Sequence, residues 1–381
     1  MARALENLRI VDFSRVLAGP LATMVLADLG ASVTKVERPD VGDDTRAWGP
    51  PYDASGVATY FQSVNRNKDS VTLDLRDARD VERARELVSA ADVLVENFRP
   101  GLMDELGLGY EALRAERPAL VYCSITGFGE ATPEAAALPG YDLLVQAVGG
   151  LMSITGTPDG EPQKVGVALV DVICGLFAGV GILAALRHRE RSGEGQRVEV
   201  NLLSCLLAAL VNQGSAFTVA GVVAQRMGNA HPSVAPYDLF AAADGNLVLA
   251  VGTDGQFRAL TDVIGCPELA EDERFATNSA RVANREALHD RLESCLHTEP
   301  AAHWVQALTV VRVPAGEVND IAGAFELAET LGLDPIVELP AADGRAVRLT
   351  RNPIGLSATP AVYLSAPPVL APVPPQTTQK Y

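Results

Sequence analysis

The stretch VGVALVDVICGLFAGVGILAAL, from Val165 to Leu186, carries one charge, Asp171, in an otherwise apolar run. An ionised carboxylate in apolar surroundings is costly unless neighbours hold it, so Asp171 calls for a structural or a chemical explanation. The structural one is capping. VGVALV reads as a strand and the glycine-rich segment beyond it as a helix, so Asp171 falls at the join, where aspartate accepts hydrogen bonds from first-turn N–H groups. The chemical one is covalent catalysis, in which a carboxylate acts as the nucleophile. The two are compatible, because a carboxylate at a helix N-terminus is held ionised and aimed.

Rival chemistries find little support. His188, His231, His289, His297 and His303 fall in turns, at a helix end or on polar helical stretches, and read as structural or solvated. G-x-S-x-G and H-E-x-x-H are absent. The turn VDFSRVLAGP, with Glu37 closing the next strand, occupies the place of a dinucleotide site. It lacks G-x-G-x-x-G, however, and without those glycines a pyrophosphate cannot approach the backbone, which argues against NAD. Cys123, Cys174, Cys205, Cys266 and Cys295 are odd in number, scattered and free of C-x-x-C, which predicts reduced thiols, no zinc site and no other metal site.

A formal charge of −17 excludes general nucleic-acid binding. It leaves room for a polyanionic small ligand. Lysine occurs only at Lys35, Lys68, Lys164 and Lys380, so arginine supplies nearly all the positive charge and suits bidentate phosphate contacts. The opening MARALENLRIVDF has no apolar signal-peptide core, and a cytoplasmic location is expected. The Val165–Leu186 run approaches the length of a membrane span. Asp171 and the glycines within it predict a buried helix instead, with no membrane association.

These residues must be positioned by regular elements. LRIVDF (8–13), PLATMVLADLG (20–30) and SVTKVE (32–37) read as strand, helix and strand. SVTLDL (70–75), 77–91 and DVLVENF (92–98) repeat the pattern, and 110–118 with ALVYCSITGF (119–128) extends it. That alternation predicts an α/β fold with an open, Rossmann-like parallel sheet. The large domain is expected over 1–200, completed by 331–381. A linker helix is expected over 201–225, and a smaller α+β domain over 226–330 that opens on a hairpin with a D-G turn. Two long apolar helices, 172–190 and 202–220, predict extensive burial in a homodimer. The Pro-rich tail SAPPVLAPVPPQTTQKY reads as frayed.

Several motifs in order carry a resemblance over about residues 6–360. They are LAGPLATMVLADLGASVTKVERPDVGDDTR (17–46), NRNKDSVTLDL (65–75), VENFRPG (95–101), GYDLLVQAVGGLMSITG (140–156) and ERSGEGQRVEV (190–200). Together they resemble the family III CoA-transferases, which include formyl-CoA and succinyl-CoA transferring enzymes and have α-methylacyl-CoA racemases as close relatives.

The resemblance implies that Asp171 is the acyl-accepting nucleophile. It would pass through a mixed anhydride and an aspartyl-CoA thioester, moving CoA from an acyl-CoA donor, succinyl-CoA among the candidates, to a carboxylic acid. Acyl-CoA would be a substrate, with no permanently bound cofactor. The resemblance places Leu17 and Ala18 along the pantetheine and adenosine path, and Arg38 at the adenine or a phosphate. Leu73, Arg76, Asn97, Phe98 and Arg99 would complete the nucleotide pocket, with Tyr141 near the thioester. Glu105 departs from the pattern, standing where relatives often place a basic contact. The resemblance also implies an interlocked homodimer.

Tyr141 bears on the alternatives. The racemases carry histidine at this position, and tyrosine, with a pKa near ~10, is a poor base at neutral pH. Transfer is therefore favoured over racemisation, and a non-catalytic CoA-binding dimer is the third reading.

Overall fold

The structure, a computed structural model, describes residues 2–342 and 344–372. The chain divides into two compact units. One takes the residues up to Leu151, Lys164–Val222 and the residues from Asp334 onward; the other takes Met152–Gln163 and Val223–Leu333.

The first unit is built on six parallel strands: β1 (Arg9–Asp12), β2 (Ser32–Glu37), β3 (Lys68–Thr72), β4 (Val93–Glu96), β5 (Val121–Thr126) and β6 (Arg197–Asn201). Their order is β3-β2-β1-β4-β5-β6. The two-residue period of a strand divides the core between the faces. Ile10, Val93, Val95, Val121 and Cys123 join one cluster, and Val11, Leu94 and Tyr122 the other.

The first cluster is covered by α1 (Ala18–Asp28) and the second by α2 (Ala78–Ser89) and α3 (Tyr110–Glu116). Further helices of this unit are α4 (Asp142–Val148), α5 (Leu169–Ser192), α6 (Leu202–Ala209) and α7 (Val211–Ala220). The strand order reverses between β1 and β4, and in open α/β sheets ligands bind beyond the C-terminal ends of the strands at such a switch point.

Four expectations need correction. VGVALV is not a strand: Val165 donates its N–H to the Gln146 side chain, Val167 is exposed, and α5 starts at Leu169. That helix is only half buried. Val170, Cys174, Gly175, Ala178 and Ile182 pack inward while Leu176, Phe177 and Val180 are exposed. Residues 202–220 are not one helix, because α6 and α7 meet at a bend of 84°, where Val211 takes a φ of 39° that a continuous α-helix does not accommodate. The tail is anchored as far as it is described. Arg46 donates to the Pro368 carbonyl, and Ala366 is buried; the rest, from residue 373, lies outside the described residues.

The second unit holds an antiparallel three-stranded sheet of Tyr237–Ala241, Asn246–Ala250 and Ala315–Glu317, its first two strands joined at the Asp244-Gly245 turn. It also corrects the reading of the cysteines. Cys266 and Cys295 form a disulfide, whereas Cys123, Cys174 and Cys205 are free and buried. The two partners lie 29 residues apart, a separation in which no local motif announces the pairing.

Candidate active site

The turn between β1 and α1 is held by a buried polar network. Asp12 accepts hydrogen bonds from Thr23 Oγ1 at 2.6 Å, from Lys68 Nζ at 3.1 Å and from Ser14 Oγ. Lys35 Nζ donates to the Ser14 carbonyl at 2.8 Å and pairs with Asp43 at 2.9 Å. Burial pushes the Lys68 ammonium down to about 8. Burial opposes ionisation of Asp43, yet Lys35 beside it and its bonds from Thr45 hold its carboxyl below the usual range. Asp43 also accepts the Val16 N–H at 3.2 Å. Val16 has a φ of 69°, unfavourable for a β-branched residue, so these contacts hold a strained turn in place.

Two adjoining cavities open at the switch point. The larger, about 670 Å³, brings together Arg15, Arg38, Leu73, Arg76 and Phe98. The second, about 560 Å³, brings together Ala18, Asn97, Phe98, Arg99, Tyr141 and Asp171. Phe98 lines both. Leu17 lines neither of these two cavities; it is the buried N-cap residue of α1.

Each expected arginine is engaged by a neighbouring carboxylate: Arg38 by Asp44, Arg76 by Asp74 at 2.9 Å, and Arg99 by Glu105 at 2.5 Å. The Glu105 departure thus has a structural counterpart. Such exposed pairs are weak in water, so an incoming phosphate can compete for these guanidinium groups. Glu37 is unavailable to a ribose, since its carboxylate is taken by Arg46 and Ser70.

Asp171 sits in the first turn of α5, three residues beyond the N-cap Ala168, and is not itself the cap. Asp142 takes that part from another helix. Its Oδ1 accepts the N–H groups of Val170 at 2.8 Å and Asp171 at 3.2 Å, while Gln146 Nε2 donates to its Oδ2 at 2.5 Å. Gln146 is buried, and its Oε1 accepts the Val165 N–H.

Close backbone approach brings these pieces together. A Cβ on Gly127 would lie 2.5 Å from the Gly140 Cα, which fixes the start of the GYD segment. A Cβ on Gly175 would lie 2.5 Å from the Ala18 carbonyl oxygen, so only glycine lets α5 pack this closely on α1.

The electrostatics differ from the sequence-based expectation of a carboxylate held ionised. Burial, and secondarily the charge of Asp142, push the Asp171 carboxyl up to about 7. Burial and then the charge of Asp171 raise the pKa of Tyr60, a further neighbour of the site. Asp142, Gln146, Arg15 and Tyr60 were not singled out from the sequence. Asp142 and Gln146 had a signal, an Asp and a Gln four apart in the quoted GYDLLVQ, which is one face of a helix.

The site can therefore present a partly buried carboxylate to an acyl group beside a cavity edged by arginine. Residues 5–371 match the family described as CoA-transferase family III. A succinate–glutarate CoA-transferase of Agrobacterium fabrum is 43% identical over 371 residues, covering 96% of this chain and 92% of that protein. An acetyl-CoA:oxalate CoA-transferase of Acetobacter aceti is 42% identical, covering 92% and 89% respectively. The crystal structure of a CaiB/BaiF family protein from Brucella suis superposes with a TM-score of 0.86 at 43% identity, covering 97% of both chains.

Proposed function

Because the chain belongs to CoA-transferase family III, we propose that it moves CoA from an acyl-CoA donor, succinyl-CoA first among them, to a small dicarboxylic acid by way of Asp171. The observation that carries this reading is the Asp171 carboxyl, partly buried in a cavity that shares the Phe98 wall with the arginine-edged one.

The Asp171 carboxylate attacks the donor thioester carbon. The C–S bond breaks, giving a mixed anhydride and CoA thiolate. The thiolate attacks the aspartyl carbonyl, releasing the donor acid and leaving an aspartyl-CoA thioester. The acceptor carboxylate attacks that thioester and expels the thiolate, giving a second mixed anhydride. The thiolate then attacks the acceptor's carbonyl, the anhydride C–O bond breaks, and acceptor acyl-CoA leaves with the Asp171 carboxylate restored. Each addition builds an oxyanion. The first-turn N–H groups of Ala18 and Gly19 have no partner within α1, as at any helix start, and Ala18 lines the cavity of Asp171; these amides are the candidate oxyanion donors. The anhydride must be shielded from water.

Asp142 contributes twice. It occupies the N–H groups of Val170 and Asp171, leaving the Asp171 carboxylate free for the substrate, and its charge raises the basicity of that carboxylate. CoA would lie along the larger cavity, with Arg38 and Arg76 exchanging their carboxylate partners for its phosphates, Leu73 and Phe98 against its apolar parts, and Asn97 and Arg99 in the adjoining cavity of Asp171. Tyr141 at the aspartate's cavity favours transfer over racemisation, which needs a second acid–base group active near neutral pH.

The exposed apolar faces of α5 and α7, with Leu176, Phe177, Val180 and Phe217, support a homodimer in which they are covered.

The test is CoA transfer from succinyl-CoA to a panel of mono- and dicarboxylic acids, followed by mass spectrometry, for the wild type and Asp171→Asn. Transfer by the wild type and none by the folded variant is expected. Equal transfer by both would refute the role of Asp171.

A further inference from the structure

We propose that Glu96 is a positioning residue for CoA: its buried carboxyl fixes the turn after β4 that supplies Asn97 and Phe98, and so sets CoA affinity without entering the acyl chemistry. This rests on the reading that the larger cavity takes CoA.

Glu96 is 5% exposed and lies at the C-terminal end of β4, at the switch point. Its Oε2 accepts the Phe98 N–H at 2.9 Å. That single contact closes the turn onto its own strand. Beyond it, Asn97 makes a reciprocal pair with the β1–α1 turn: its Oδ1 accepts the Arg15 N–H and its Nδ2 donates to the Arg15 carbonyl, both at 2.8 Å. The Arg15 guanidinium lies 5.2 Å from the centre of the Phe98 ring, and that ring walls both cavities. Glu96 thus holds one end of a chain of contacts running from β4 through the shared wall to the turn that precedes α1. None of these contacts reaches the Asp171 carboxyl directly, so a change in Glu96 is expected to appear in binding.

The surroundings of Glu96 make this contact sensitive to pH. It faces a small cavity of about 150 Å³ that Asp171 does not line. Charged and titratable groups there are Arg99 and Asp104 from the segment after β4, Tyr110 and Glu111 at the start of α3, Tyr122 on β5, Glu130 beyond β5, and Arg197 on β6. Arg197 is engaged by Glu130 at 2.8 Å and by Glu199 at 3.1 Å. Among the described residues no ion pair to Glu96 occurs. Burial therefore prevails and pushes its carboxyl up to about 7, against the lowering influence of Ser124, the Phe98 N–H and Arg197. An N–H bond to a carboxylate is stronger than one to a neutral carbonyl, so the turn is held more firmly once Glu96 is ionised.

The experiment is calorimetric titration with CoA itself, which needs no turnover, for wild type, Glu96→Gln and Glu96→Ala at about pH 6 and about pH 8. Glutamine keeps an acceptor for the Phe98 N–H but cannot ionise; alanine removes it. At the higher pH the alanine variant is expected to bind CoA about tenfold more weakly and the glutamine variant about threefold more weakly. At the lower pH the wild type and the glutamine variant converge, and any titration of CoA itself cancels in their ratio. With saturating acyl-CoA, kcat stays within about twofold of the wild type, since only binding is altered.

Wild-type affinity in the alanine variant would overturn the proposal. So would a wild-type to glutamine ratio that does not change with pH, or a fall in kcat with CoA affinity unchanged. If the alanine variant does not fold, the pH dependence of the glutamine ratio decides alone. A wild-type chain that does not bind CoA would overturn the site reading and the proposal together.

Discussion

Replacing Asp171 with asparagine should abolish transfer while making the protein more stable, and the gain should depend on pH. Its carboxyl is raised from an ordinary value of 3.8 to about 7. Between those values the folded state binds more protons at this position than the unfolded state does. Wild-type stability therefore falls as pH rises through the window and levels off above it.

Raising the carboxyl from 3.8 to about 7 sets a ceiling of about 4 kcal/mol, at roughly 1.4 kcal/mol for each tenfold gain in proton affinity. Asparagine still has a polar group to desolvate, so a net gain of about 1–3 kcal/mol is expected. Asparagine cannot titrate. The difference between variant and wild type should thus be smallest at about pH 4, where the uncharged carboxyl costs the wild type little and the variant has no advantage, rise through the window and reach its full size at about pH 8. Glu96 titrates in both proteins and cancels.

The assay is chemical denaturation of both proteins across this range, with transfer activity measured on the same preparations. A variant no more stable than the wild type at the alkaline end, or a difference independent of pH, would refute the account of burial and the Asp142 charge acting on Asp171.

Further outcomes follow from the same geometry. In the proposed mechanism only the ionised Asp171 attacks, so kcat/KM should rise with pH to a plateau above about 7. Asp142→Asn, which keeps an oxygen for the α5 N–H groups but removes the charge, should move that inflection to lower pH, as a rate profile would show. Gly175→Ala places a Cβ 2.5 Å from the Ala18 carbonyl oxygen and should cost about 1–3 kcal/mol in a denaturation experiment; no loss would mean that α1 and α5 separate readily. Peptide mapping without reductant should find Cys266 joined to Cys295, with Cys123, Cys174 and Cys205 as free thiols.

The sequence by itself determined the framework. Runs such as LRIVDF and SVTKVE, alternating with helical segments, become adjacent parallel strands because period-two apolar patterns covered on both faces have few other arrangements. The isolated charge of Asp171 called for a role, since a carboxylate in so apolar a run is informative wherever it folds, and the resemblance carried by the ordered motifs implied acyl chemistry. Local pattern misled at VGVALV, where the Gln146 side chain takes the Val165 N–H that a strand neighbour would have taken.

What only the tertiary structure decided are the relations between residues far apart in the chain. Asp142 caps the helix that carries Asp171 from a different helix, 29 positions away for its bond to the Asp171 N–H. The carboxyl is pushed up to about 7 by burial and by the charge of that neighbour. Glu96 was legible only as the end of a strand, and its lack of an ion pair among the described residues accompanies the engagement of Arg197 by Glu130 and Glu199. Burial and through-space charge depend on distances that folding alone sets, and for that reason the sequence could nominate Asp171 but not the pKa of its carboxyl or the residues that hold it.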